Sequence, residues 1–125
     1  MGLTYANLTL TNLFTQKRVE IRALVDTGAW HMCVTAEIAA ALGFDITEVE
    51  TENVTLADGR SVEVPRIAPI QINFANRRCA GEAFVLGDEP LIGVVPIEAM
   101  DCIVDPRTQE LRVNPKHPER AEFRV

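Results

Sequence analysis

The sequence predicts an all-β domain that carries one or two short helices. Three observations predict it: short β-branched runs alternate with turn signals along the chain, Asp58-Gly59 stands between alternating apolar residues, and only two brief segments read as helical. The 125 residues fit one globular domain, and an apolar content of 47% is enough to build a core.

Leu8 and Leu10 alternate with threonines, residues 12–17 read as a turn, and Val19, Ile21, Ala23 and Val25 restore a period of two. This predicts a hairpin that ends at Asp26. Thr35 is placed as an N-cap with Glu37 in the first turn, Ile38 and Leu42 share a face, and Gly43 is a natural stop, so a helix of about two turns follows. Asp45, Glu48, Glu50 and Glu52 read as a solvated face. From Val54 to Val62 the Asp58-Gly59 pair predicts a second hairpin with an exposed, mobile tip. Ile67, Ile70, Ile72 and Phe74 continue from it, a turn is expected at residues 75–78, and the chain returns through Ala83–Leu86, with Pro65 and Pro69 marking edges or bends. Leu91-Ile92-Gly93 then precedes a short helix at Pro96–Met100, which loosely repeats the order of the first half without a second Asp-Thr-Gly. Ile103-Val104, a turn at residues 105–108 and Leu111–Val113 make a closing hairpin. The domain is therefore expected to span residues 1–113, followed by a polar tail at 114–125.

The charge excludes some partners. Twelve basic against 18 acidic side chains give a net charge of -6, which argues against nucleic acid. No apolar run approaches the roughly 20 residues of a membrane span, and Met1-Gly2-Leu3-Thr4 has neither a basic region nor an apolar signal core. A soluble, cytoplasmic protein without a membrane partner is expected. Cys33, Cys79 and Cys102 form neither a disulfide framework nor a zinc spacing, and His31 and His117 lack metal-ligand spacing and read as surface or cleft-rim residues, so no metal or cofactor is expected. Cys33 follows His31 by two residues, but adjacency in sequence does not make a thiolate–imidazole pair.

The segment with the clearest chemistry is Asp26-Thr27-Gly28-Ala29, which follows Ala23-Leu24-Val25 and occurs once. A strand ending in a tight turn presents a carboxylate to a cavity, and small residues let backbone and substrate come close. Two facing carboxylates share a proton, so that one acts as base on a water while the other acts as acid. With one copy per chain, the second Asp26 must come from another subunit, and a homodimer is expected. Asp-Thr-Gly also arises at ordinary strand exits, so the rest of the chain has to decide.

Three features decide it in order: Ala23-Leu24-Val25-Asp26-Thr27-Gly28-Ala29, the Leu56-Ala57-Asp58-Gly59-Arg60 hairpin, and Leu91-Ile92-Gly93 before a short helix and a Val104-Asp105-Pro106 turn. With them, residues 4–113 resemble the retropepsin-like (clan AA) aspartic proteases, specifically the small single-domain bacterial type. The resemblance implies a closed, barrel-like all-β fold and an active site on a two-fold axis, with one Asp from each subunit. It implies that Asp26 is catalytic, that Thr27 bonds across the dimer, and that Gly28 and Ala29 line the substrate backbone. Ala57, Asp58, Gly59 and Arg60 would form a flap over a bound peptide or protein substrate. Terminal strands near residues 4–10 and 109–125 would pair between subunits.

The chain departs from the family pattern after Ala29. Ser, Thr or Asp is common at the next position, and here it is Trp30, followed by His31-Met32-Cys33 in place of small or hydroxyl-bearing residues. Trp30 is assigned to substrate binding, with packing at the dimer interface as the other use of its indole. Two functions follow: an aspartic endopeptidase, or a catalytically weak or inactive peptide-binding module on the same fold.

Overall fold

A computed structural model describes residues 2–125; Met1, where the readings of the N-terminus and of the domain begin, lies outside the described residues. The period-two pattern starts the sheet. β1 (Tyr5–Asn12) and β2 (Arg18–Val25) pair antiparallel from Tyr5↔Leu24 to Thr11↔Arg18, burying Ala6, Leu8, Leu10 and Ala23 on one face. The buried Asn12 closes the turn: its Oδ1 accepts the N–H of Phe14 at 2.9 Å, and its Nδ2 donates to the Leu42 carbonyl at 2.9 Å. That second bond ties the hairpin to the end of α1 (Ala36–Ala41), whose start is capped by Thr35 Oγ1 accepting from Ile38 N at 3.2 Å. Gly43, at φ +87°, takes the chain out of the helix as the sequence predicts.

The remaining elements are β3 (Met32–Val34), β4 (Thr51–Thr55), β5 (Ser61–Phe74), β6 (Arg77–Val85), β7 (Leu91–Ile92), α2 (Val94–Ala99), β8 (Cys102–Val104) and β9 (Leu111–Val113). Their class is all-β with two short helices, as expected. Strands run β1-β2-β7-β3-β6-β5, and β5 returns to pair with β1 from Thr9↔Asn73 to Asn12↔Ile70, so the pairings close into a ring. The core lies inside it, with Leu10, Val34, Ile67, Ile70 and Ile92 fully buried. β4 pairs with β5 only, and β8 with β9 forms a separate two-stranded sheet.

Two local expectations change. β3 is a strand the periodicity does not reveal, because it is three residues long and owes its existence to parallel pairing with Ala83–Val85 of β6. The turn expected at residues 75–78 is confined to Ala75 and Asn76, and Arg77 already belongs to β6 with its side chain fully buried.

Arg77 explains how the chain end is held. Its Nε donates to the Asp101 carbonyl at 3.3 Å, its Nη2 to the His117 carbonyl, and the same Nη2 lies 3.8 Å from Asp101 Oδ2. Asp101 in turn accepts from Asn114 Nδ2 and from the Glu122 N–H, each at 3.0 Å, and meets His117 Nδ1 at 2.7 Å. Asn76 Nδ2 adds bonds to the carbonyls of Pro118 and Glu119, both at 3.0 Å. Residues 114–125 contain no helix or strand, yet they are fastened to the turn before β6 and to the exit of α2.

Removing the buried guanidinium strands these acceptors. Arg77→Met is expected to cost on the order of 3 kcal/mol in urea unfolding at neutral pH. The Asn114 amide, the Glu122 N–H and His117 hold the Asp101 carboxyl down to about 2. Its contribution to stability is therefore present above the ordinary carboxylate value of about 4 and is lost as pH falls toward 2. Unfolding midpoints between pH 5 and 2.5 are expected to drop less in Asp101→Asn than in the wild type.

Candidate active site

Asp26 leaves β2 at the point where three strands are anchored together. Val25 N donates to the Thr4 carbonyl at 2.9 Å on one side, and Asp26 N donates to the Ile92 carbonyl at 3.1 Å on the other. β7 runs parallel to β2 (Leu24↔Leu91, Val25↔Ile92) and antiparallel to β3 (Cys33↔Leu91), so residues 26–31 cross over the end of β7 from one neighbour to the other. Within that crossing Ala29 N donates to the Asp26 carbonyl at 3.1 Å, and Gly28 N donates to Asp26 Oδ1 at 2.9 Å. The carboxylate is half-buried, while Thr27 and Gly28 are exposed.

The crossing is pinned from below by α2. Val94 N donates to the Ala29 carbonyl at 3.0 Å and Val95 N to the Trp30 carbonyl at 2.8 Å, which satisfies two N–H groups that a helix start leaves unpaired. Gly93 makes this possible through space rather than through an unusual dihedral. Its φ of -100° suits any residue, but a Cβ there would lie 2.5 Å from the Ala29 carbonyl oxygen and 2.7 Å from the Trp30 carbonyl carbon.

A second feature emerges from register alone. Tyr5↔Leu24, Leu24↔Leu91, Leu91↔Cys33, Cys33↔Phe84 and Phe84↔Arg66 form one row across six strands, on the face opposite the core residues Ala23, Met32 and Ile92. Leu24 stands two residues before Asp26, and the His31 ring meets Phe84 edge-on at 5.4 Å. The Cys33 thiol is pushed up, first by burial and then by the nearby Asp26 carboxylate. It is therefore a poor thiolate, and a Cys33–His31 nucleophile gains no support. Burial also pushes Cys79 and Cys102 up to about 11.

The sequence-predicted site residues fall into two groups. Asp26, Thr27, Gly28, Ala29 and Trp30 form the crossing, whereas Ala57, Asp58, Gly59 and Arg60 form the tip joining β4 to β5. That tip is bonded to itself: Leu56 N to the Arg60 carbonyl at 2.8 Å, Gly59 N to the Leu56 carbonyl at 2.9 Å, and Arg60 Nε to Asp58 Oδ2 at 2.7 Å, with Gly59 at φ +87°. The bonds from the Arg60 backbone and side chain lower the Asp58 pKa. Among the described residues, no hydrogen bond or ion pair joins the tip to the Asp26 turn. The row of Leu24, Leu91, Cys33 and Phe84 is missing from the sequence reading, because four separate strands supply it. His117, read as a surface or cleft-rim residue, is half-buried between Asp101 and Glu122. Among the described residues no cluster of metal-ligand side chains occurs, and no helix is long and apolar enough to cross a membrane.

A family model described as gag-polyprotein putative aspartyl protease matches residues 14–95, a span that holds the Asp26 turn, the β4–β5 tip and Gly93. The chain belongs to this family. The gag-type aspartyl protease assignment agrees with the fold: the crystal structure of a retropepsin-like aspartic protease from Rickettsia conorii matches with a TM-score of 0.61 at 23% identity, covering 89% of this chain and 80% of that one. The fold is thus retropepsin-like. No curated protein matches the chain.

The contact at Gly93 is open to a direct check. Gly93→Ala is expected to lower the unfolding free energy by about 1–3 kcal/mol and to move the amide resonances of residues 26–30. Gly81→Ala, where an added Cβ meets nothing within 4 Å, is the control that leaves those resonances in place.

Proposed function

We propose that the protein is an aspartic endopeptidase that works as a homodimer, with Asp26 of each chain supplying one carboxylate. The observation that carries this reading is the Asp26 turn: its backbone is fixed by Ile92 and by α2, its Oδ1 takes a single N–H from Gly28, and Thr27 and Gly28 face outward from the chain. A half-buried carboxylate on a rigid, outward-facing turn suits a partner that brings the same group. Two such groups across a two-fold axis share one proton, because neighbouring carboxylates do not both ionise cheaply.

In the proposed reaction the ionised Asp26 takes a proton from a water held between the pair. The water oxygen bonds to the scissile carbonyl carbon, and the protonated Asp26 gives its proton to the carbonyl oxygen. Proton transfer to the peptide nitrogen then lets the carbon–nitrogen bond break, and the pair returns to one shared proton. Gly28 and Ala29 have the small side chains needed for close approach of a substrate backbone, and the row of Leu24, Leu91, Cys33 and Phe84 offers an apolar surface beside the carboxylate. The tip at Ala57–Arg60 is the candidate flap, closing over the peptide to exclude bulk water.

Asp26→Asn is expected to abolish cleavage in a peptide-library digest without loss of folding, and retained cleavage would sink the proposal. Adding an equal amount of Asp26→Asn to a fixed amount of wild type is expected to reduce activity to about half once subunits exchange, since mixed dimers carry one carboxylate. Turnover should follow a bell-shaped pH profile, falling when the shared proton is lost and when a second is gained. Peptide binding without turnover at every pH from acid to neutral would favour the binding-module reading instead.

A further inference from the structure

Single apolar side chains left in water are ordinary, but those that gather at one site mark contact surfaces. Three exposed ones lie on segments that meet the Asp26 turn. Trp30 is 70% exposed, Val95 is 44% exposed and bonded through its N–H to the Trp30 carbonyl, and Leu3 is 71% exposed. Leu3 belongs here because its neighbour Thr4 accepts the N–H of Val25, the residue before Asp26. The backbone under the indole is fixed, since the carbonyls of Ala29 and Trp30 are both taken by α2 and β3 begins at Met32. The indole is therefore presented on a rigid frame.

We infer that Trp30, with Val95 and Leu3 around it, is the apolar anchor by which a second copy of this chain docks and completes the Asp26 pair. The inference rests on the two-chain reading of the site and adds a residue-level account of what holds the chains together. Geometry limits where the partner can be. Four residues span at most about 14 Å fully extended, and the Asp26–Ala29 turn shortens that path. A standard interface of about 800 Å² per partner has a radius of about 16 Å. A two-fold axis that joins the two Asp26 carboxylates therefore keeps Trp30 within reach of such a contact. Thr27, Gly28, Ala29, Trp30, Val94, Val95 and Leu3 are all uncharged, so in chains of net charge -6 these segments bring only Asp26 itself as like charge to the axis.

The residues that follow Trp30, rather than Trp30 itself, join the apolar row beside the carboxylate. His31 and Cys33 stand on the face that carries the apolar row, with the His31 ring against Phe84 of that row. Trp30 itself lies before β3 begins and is 70% exposed, so its indole stays available to a partner chain.

Trp30 is the chain's one tryptophan, so its fluorescence reports on this surface directly. In a dilution series of the full chain followed by emission and by sedimentation, the emission maximum is expected to move to shorter wavelength with the same midpoint as dimer formation. Trp30→Ala is expected to raise the dimer dissociation constant by about 30-fold or more, the loss typical of a central aromatic anchor, while the circular dichroism melt of the dilute monomer stays unchanged. Dimers that form with constant emission and an unchanged Trp30→Ala dissociation constant overturn the anchor and leave the two-chain site standing. Emission that moves only when a peptide is added also overturns it, by placing the indole on substrate. Cleavage-competent monomers at every concentration overturn the two-chain site, and the anchor with it.

Discussion

The approach of Gly93 to the backbone of Ala29 and Trp30 is the constraint on which the candidate site depends. No side chain fits there, since even a methyl group would overlap a carbonyl oxygen at 2.5 Å. Because the gap is closed by backbone alone, the first two N–H groups of α2 reach the carbonyls of the Asp26 crossing, and one short helix start braces the turn in place of solvent. The same approach lets β7 lie between β2 and β3, which aligns Leu24, Leu91, Cys33 and Phe84 in one row. Turn, helix and apolar surface thus follow from one missing Cβ.

A second anchor works at the other end of β6. Buried Arg77 draws together the Asp101 carbonyl and the His117 carbonyl, and Asp101 gathers Asn114, His117 and the Glu122 N–H. A guanidinium with no exposure is stabilised only when its donors are satisfied, and here the main-chain oxygens of Asp101 and His117 and the Asn76 side chain supply the acceptors. The chain end is thereby fixed without regular secondary structure.

These two anchors also show what was legible in the sequence. Hairpins set by alternation, the Thr35 cap, the Gly43 exit and the Asp58-Gly59 tip all depend on neighbours a few residues apart, and each stands where the pattern put it. Asp26 was visible for the same reason, as a polar residue ending an apolar run. β3 was not, because three residues carry no period and its partners lie some fifty positions away in β6. Arg77 looked like part of a turn, and His117 like a surface residue, since the groups that meet them come from Asp101, beyond the end of α2, and from the last segment. Leu91-Ile92-Gly93 was legible as an echo of the first motif, but its physical task, leaving room for Ala29 and Trp30, is a property of space.

The sheet also divides rigidity from freedom in a way that suits a site with a fixed floor and a moving cover. β5 is 14 residues long, and its two halves live differently. From Ile70 to Phe74 it pairs with β6 along that whole stretch and with β1 over most of it, inside the ring. Beyond the irregularity between Ile67 and Ile70 it still pairs with β6 at Ile67 and Arg66, and only from Pro65 back to Ser61 does it leave the ring and pair with β4 alone. The tip beyond that point is closed by its own Asp58–Arg60 and Leu56–Arg60 bonds, so it keeps its shape while only one strand pair connects it to the core. Displacing such a hairpin breaks few contacts, whereas displacing the Asp26 turn would break bonds to β7 and α2 together. Low local stability at the tip and high local stability at the carboxylate are therefore consequences of where β5 exits the ring and where Gly93 meets the turn.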